Sequence, residues 1–261
     1  MKLAVYQMDL KAGRPKLNRE RVAQWAARTV KEEKPDILVL PEMWTTAYTL
    51  SEMESVADRD GEPTTSFLKE LAVEHGVHII GGSVANKKKG RFYNTALVVN
   101  REGKLVFQYD KIHLVPMLDE PQYLSGGAAK AETFELDGMK MGIIICYDLR
   151  FPELARKLAL DGAQVLYVVA EWPSTRKGHW QALQIARAIE NQMAVVSCNR
   201  VGTTNETSFC GTSMVVDAWG EVVAKGSEDR EETITAQVDL SSVPEIREAV
   251  PVFASRVPEM Y

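Results

Sequence analysis

The sequence is poor in the residues that staple or anchor a chain. Three cysteines, Cys146, Cys198 and Cys210, are an odd number with no metal-ligand spacing, which argues against a disulfide framework and a zinc cluster. There is no strongly basic segment: the longest basic block is Lys87-Lys88-Lys89, next to Gly90, and reads as a solvated hairpin turn. With a net charge of −5 and a pI near 5.6, nucleic acid is not an expected partner. No apolar run reaches membrane length, and no charged-then-apolar leader precedes the strand-like Leu3-Ala4-Val5-Tyr6-Gln7. A cytoplasmic, membrane-free protein is the expectation. Flexible linkers and solenoid-period repeats are also missing, so residues 1–261 read as one domain.

The 45% of hydrophobic residues are organised as strands and helices. Leu3 to Met8, a charged helix through Val22, Trp25 and Val30, and the buried strand Asp36 to Leu40 make a β-α-β unit, which implies parallel neighbours. A helix around Phe67 to Ala72 leads to Val77–Val84, where Gly81-Gly82 suggests close approach of another backbone. Strand follows strand from Phe92 to Leu136, interrupted by a long loop, 112–130. Alternation then resumes: strand 140–145, helix from Pro152, strand Val165–Ala170, helix 176–191 with Trp180, Leu183, Ala186 and the Ile185/Ile189 pair inward, and strand Met193–Cys198. A hairpin about Ala218-Trp219-Gly220, a strand 233–240 and a helix from Pro244 precede the tail 251–261. The expected class is α/β, two mixed sheets face to face with helices outside.

Cys146 closes the apolar run Ile143-Ile144-Ile145 and precedes a helix opened by Pro152. Open α/β sheets place ligands at such strand ends, and nearby helix N–H groups lower a thiol's pKa. A buried packing role is the plain alternative for any free cysteine. Three more ionisable residues sit at strand exits or in the adjoining loop: Glu42 after Leu38-Val39-Leu40-Pro41, Lys111 after Tyr109-Asp110, and Glu120 in the long loop.

Leu-Pro-Glu at 40–42, Tyr-Asp-Lys-Ile-His-Leu at 109–114 and Ile-Cys-Tyr-Asp-Leu-Arg-Phe-Pro-Glu at 145–153 resemble, in order, three signatures of the nitrilase superfamily of carbon–nitrogen hydrolases. The resemblance spans nearly the whole chain and implies a four-layer α-β-β-α sandwich. It implies that Cys146 is the nucleophile, Lys111 and the Tyr147 backbone N–H stabilise the oxyanion, Glu42 is the acid–base and Glu120 orients Lys111. No metal or organic cofactor is implied. His113 is then a packing or loop-fixing residue, Asp148 and Arg150 are catalytic or a structural pair, and Cys198 and Cys210 belong to the core. Pocket candidates are Trp44, Tyr48, Tyr123, Tyr147, Glu171, Trp172 and Ser174, with Arg176 or Arg150 meeting a substrate carboxylate. The chain looks most like the omega-amidase branch, which acts on small carboxylate-bearing amides such as 2-oxoglutaramate. Another aliphatic amide, an N-carbamoyl compound, a nitrile, acyl transfer to an amine, or a non-catalytic binding role are the alternatives. The resemblance also implies a homodimer paired through the helices starting at Pro152 and Arg176 and the 251–261 tail, against a monomer whose tail folds back.

Overall fold

A computed structural model describes residues 1–260. In chain order the strands are β1 (Lys2–Gln7), β2 (Ile37–Val39), β3 (Asp58–Arg59), β4 (His78–Lys88), β5 (Arg91–Val99), β6 (Leu105–Asp110), β7 (Phe134–Leu136) and β8 (Met139–Ile145). They continue with β9 (Val165–Ala170), β10 (Ala194–Asn199), β11 (Val201–Thr204), β12 (Thr207–Cys210), β13 (Met214–Val216), β14 (Val222–Lys225) and β15 (Glu232–Gln237). The helices are α1 (Pro15–Glu33), α2 (Met53–Val56), α3 (Thr64–His75), α4 (Glu120–Tyr123), α5 (Pro152–Leu160), α6 (Lys177–Asn191) and α7 (Ser242–Ala249).

Among the described residues one sheet has the order β15-β1-β2-β4-β5-β6, with β3 beside β4, and the second has the order β14-β13-β10-β9-β8-β7. Both are mixed: β1, β2 and β4 run parallel, as do β8, β9 and β10, and the outer pairs are antiparallel. Strand side chains alternate between faces, and the sequence uses both. Leu3, Val5, Ile37, Val39, Ile80 and Val98 join the second sheet in the central core. Their neighbours Ala4, Tyr6, Leu38, Leu40, Ile79 and Leu97 pack instead on Val22, Trp25 and Ala26 of α1 and Leu68 and Leu71 of α3. Ala155 and Leu158 of α5 and Trp180 and Ala188 of α6 cover the far face of the second sheet. The result is the four-layer α-β-β-α sandwich.

Two local expectations, for the inner face of α6 and the start of α7, need correction. The inner face of α6 carries Gln184, Arg187 and Asn191 beside Trp180 and Ala188, while Ile189 is 52% exposed. Arg187 explains part of this, because its guanidinium donates to the Leu149 carbonyl behind the cysteine turn. Helix α7 starts at Ser242, so Pro244 sits inside its first turn rather than opening it. The tail places Phe253 against the guanidinium groups of Arg156 and Arg247 of its own chain; Tyr261 lies outside the described residues. Among the described residues no helix is long and apolar enough to cross a membrane.

Candidate active site

Three chain segments leave the sheets and meet between them. After β2, the Leu40 N–H still donates to Ile80 O (3.0 Å), and Ser83 N–H binds Pro41 O (3.1 Å), which holds Glu42 at the sheet edge. Gly82 makes this approach feasible: its φ is +59°, and a Cβ there would lie 2.0 Å from Pro41 O. After β6, Lys111 is held by its N–H on Asn94 O and by its carbonyl accepting from Gly127 N–H, both at 2.9 Å. After β8, Cys146 adopts φ +45°, a left-handed conformation rare outside glycine, and begins the 3-10 turn Cys146–Arg150. Pro152 then takes the first position of α5, as its fixed φ favours.

Asp148 ties two of these segments together. Its carboxylate accepts from Ile145 N–H (3.1 Å), the Tyr109 hydroxyl (2.8 Å) and His113 N–H (3.0 Å), and lies 2.9 Å from His113 Nδ1. The cysteine turn is thereby fastened to the lysine loop. His113 also stacks on Phe151 at 3.5 Å, a loop-fixing arrangement. Asp148 and Arg150 are not a pair, because Asp148 spends its acceptors on these four groups. Arg150 lies over Trp172 at 4.7 Å and reaches His179 at 3.3 Å.

The converging side chains are fully buried. Lys111 Nζ donates to Glu42 Oε1 and Glu120 Oε1, each at 2.8 Å. Glu42 Oε1 also accepts from Asn94 Nδ2 (2.8 Å) and lies 2.9 Å from the Tyr48 hydroxyl oxygen, and Oε2 accepts from Glu171 N–H (2.7 Å). Glu120 Oε1 accepts from Tyr48 (2.5 Å) and Oε2 from Val115 N–H (2.6 Å). Burial alone would lower the Lys111 pKa, but the two carboxylates outweigh it and hold the ammonium well above its ordinary range. Burial, then Glu120 and Glu42, push the Tyr48 hydroxyl up, so it stays a donor.

Cys146 does not have the lowered pKa expected of a strand-to-helix junction. Burial, followed by the Glu42 charge, pushes its thiol well above the ordinary value, and Lys111 pulls it back only in part. The segment after the cysteine is a single 3-10 turn, and α5 begins only at Pro152. Two carboxylates also face one lysine. The resting group is a thiol, and Glu42 is the carboxylate whose charge acts on it most.

Tyr147, Arg150, Glu171, Trp172 and Arg176 line a small cavity at Cys146, together with Met117 and Leu118. Three other pocket candidates lie elsewhere. Trp44 is buried in the outer core against Phe67, its indole N–H satisfied by Gly81 O (2.8 Å). Tyr123, 42% exposed, lines a neighbouring groove with Tyr48, Leu50 and Phe209. Ser174 lines an outer groove with Arg176, Glu206 and Thr207. Sequence reasoning missed Asn94, a polar residue inside an apolar strand and a partner of Glu42. It also missed Arg200, a strand-exit cation whose Nη1 is 2.8 Å from Glu171 Oε2. Among the described residues no three His, Cys, Asp or Glu side chains gather as a metal site.

Residues 2–248 match the family model for carbon-nitrogen hydrolases, and the chain belongs to that family. It is a hydrolase of carbon–nitrogen bonds. Among curated proteins it is similar to the 2-oxoglutaramate amidase of Bacillus subtilis, with 42% identity over 259 residues, 99% of this chain and 98% of that one. It is 34% identical to omega-amidase NIT2-B of Xenopus laevis over 90% of this chain and 89% of that protein. A carbon-nitrogen hydrolase crystal structure from Helicobacter pylori G27 superposes with a TM-score of 0.93, covering 100% of this chain and 96% of that one at 26% identity.

Proposed function

We propose that the protein is a cysteine-dependent amidase that converts a small carboxylate-bearing amide, of the 2-oxoglutaramate kind, to acid and ammonia. The supporting observation is the cavity at Cys146, which holds two arginines, Arg150 and Arg176. Neither forms an ion pair with a carboxylate among the described residues. A guanidinium left without a countercharge beside a nucleophile suits a substrate carboxylate, which it can bind bidentately. Similarity to the 2-oxoglutaramate amidase points the same way.

In this reading Glu42 takes the Cys146 proton as sulfur attacks the amide carbonyl carbon. The new oxyanion is met by Lys111 Nζ and the Tyr147 backbone N–H. Glu42 passes the proton to nitrogen, the C–N bond breaks, and ammonia leaves a thioester on Cys146. Glu42 then deprotonates water, whose oxygen attacks the thioester, and the cysteine sulfur leaves and regains its proton from Glu42. Glu120 keeps Lys111 aimed, and Tyr48 braces both carboxylates. We read the outward sides of α5 and α6, where Leu160 (44%) and Ile189 (52%) are exposed, as the surface of a homodimer.

The test is ammonia release from primary amides with and without a distal carboxylate, alongside nitriles and N-carbamoyl compounds. Carboxylate-bearing amides should be preferred, and Arg176→Met should raise their KM about 10- to 100-fold with little effect on neutral amides. Equal turnover of neutral amides, or a preference for nitriles or carbamoyl compounds, would refute the reading.

A further inference from the structure

Glu171 stands at the end of β9 with its side chain fully buried and lines the Cys146 cavity. One carboxylate oxygen, Oε2, is taken by Arg200 Nη1 at 2.8 Å. The other, Oε1, is buried with no hydrogen-bond partner among the described residues. A buried carboxylate oxygen left without a donor is costly unless something else supplies one. Arg200 does not turn to satisfy both, since its remaining N–H groups are directed at Val201 O (3.0 Å), Thr204 Oγ1 (3.1 Å) and Leu10 O (3.5 Å).

The position of Glu171 says which part of a substrate could be that donor. Its backbone N–H holds Glu42 Oε2 at 2.7 Å, and its carbonyl oxygen is 4.0 Å from Cys146 Sγ. Its charge acts on Glu42, Lys111 and Tyr48. Glu42 must deliver a proton to the leaving nitrogen, so the Glu42 side of the sulfur is the nitrogen side. The carbonyl oxygen belongs with the Tyr147 N–H and Lys111, which meets Glu42 at Oε1, whereas Glu171 meets it at Oε2. Glu171 is therefore on the nitrogen side.

Building on the amidase reading, we infer that Glu171 in its ionised form accepts through Oε1 a hydrogen bond from an N–H of the scissile amide and of the departing ammonia, making Glu171 the residue that selects unsubstituted amides. A primary amide has two N–H groups, one in line for Glu42 as the nitrogen becomes tetrahedral and one for Glu171. An ester of the same acid has neither. A fully substituted amide would leave Oε1 unpaired and buried.

Glu171→Gln keeps the shape and an oxygen for Arg200 but turns an NH2 toward the leaving nitrogen, donor against donor. Above about pH 8, where the wild-type carboxyl is ionised, it should lower kcat/KM for the primary amide about 10- to 100-fold while leaving hydrolysis of the p-nitrophenyl ester of the same acid within about twofold of wild type. If losing the charge beside buried Arg200 prevents folding, Glu171→Met with Arg200→Met removes both charges together and should show the same amide-selective loss. An equal loss on amide and ester would make Glu171 a structural partner of Arg200 only, and no loss on either would remove it from the site; both overturn the inference. The comparison needs only a primary amide that the wild type hydrolyses. The carboxylate preference proposed above can therefore fail without affecting this test.

Discussion

Replacing Lys111 by methionine separates a structural cost from a catalytic one. The Lys111 ammonium is the countercharge for Glu42 and Glu120, at 2.8 Å from each, and all three side chains are fully buried. Methionine keeps most of the volume, so little packing is lost, but two carboxylates are left with no cation. Breaking one buried pair costs about 3–5 kcal/mol, and with two carboxylates on one lysine we expect the upper end of that range. Separately, the loss of an oxyanion donor should lower kcat about 100- to 1,000-fold. Adding Glu120→Gln neutralises one stranded carboxylate and should restore about 1–3 kcal/mol of stability without restoring rate. Urea unfolding of the wild type, Lys111→Met and the double variant measures the first effect, and ammonia release at saturating amide the second. Lys111→Met as stable as the wild type within about 1 kcal/mol would refute the buried-countercharge argument. A loss confined to KM would remove Lys111 from the oxyanion role.

Two other perturbations test the framework of the site. Gly82→Ala forces a Cβ to within 2.0 Å of Pro41 O at a φ of +59°, and should cost about 2–4 kcal/mol together with most of the activity, because Glu42 is displaced. Thermal melting and ammonia release would check it, and a fully active, equally stable variant would contradict the placement. Burial raises the Glu171 carboxyl from 4.5 to about 8 against the pull of Arg200, so the folded protein holds this proton to higher pH than the unfolded chain. Its contribution to stability is full below about 4.5 and is lost as pH rises to about 8. The stability difference between wild type and Glu171→Gln should therefore shift against the wild type over that window, and a pH-independent difference would contradict it.

The parts of the fold that were legible are those where one signal dominates. Apolar runs such as Val165–Ala170 read as buried strands, and the ionisable residues just beyond Leu40, Asp110 and Ile145 do meet, though between the two sheets rather than at one sheet's edge. Gly82 announced a close backbone approach, and the structure shows why. The hairpin β11–β12 was illegible because its strands are short and polar, although Asn205 and Glu206 at positive φ form the two-residue turn that β-branched Thr203, Thr204 and Thr207 flank. Helix α6 misled because Ile189 faces outward while polar Gln184, Arg187 and Asn191 share the inner face with Trp180 and Ala188, Arg187 meeting the cysteine turn. Trp44, so near Glu42 in sequence, follows Met43 at positive φ and turns to the opposite face of the sheet. The thiol's raised pKa was beyond sequence reasoning, because it depends on how completely Glu42, Glu120 and Lys111 are buried together.

The most direct test is the mass of the enzyme quenched in acid during turnover of a carboxylate-bearing primary amide. A covalent adduct equal to the substrate less ammonia is expected on the peptide that contains Cys146. Cys146→Ala should keep the wild-type fold by circular dichroism, form no adduct and release no ammonia. An adduct on another residue, or ammonia release by Cys146→Ala at the wild-type rate, would contradict it.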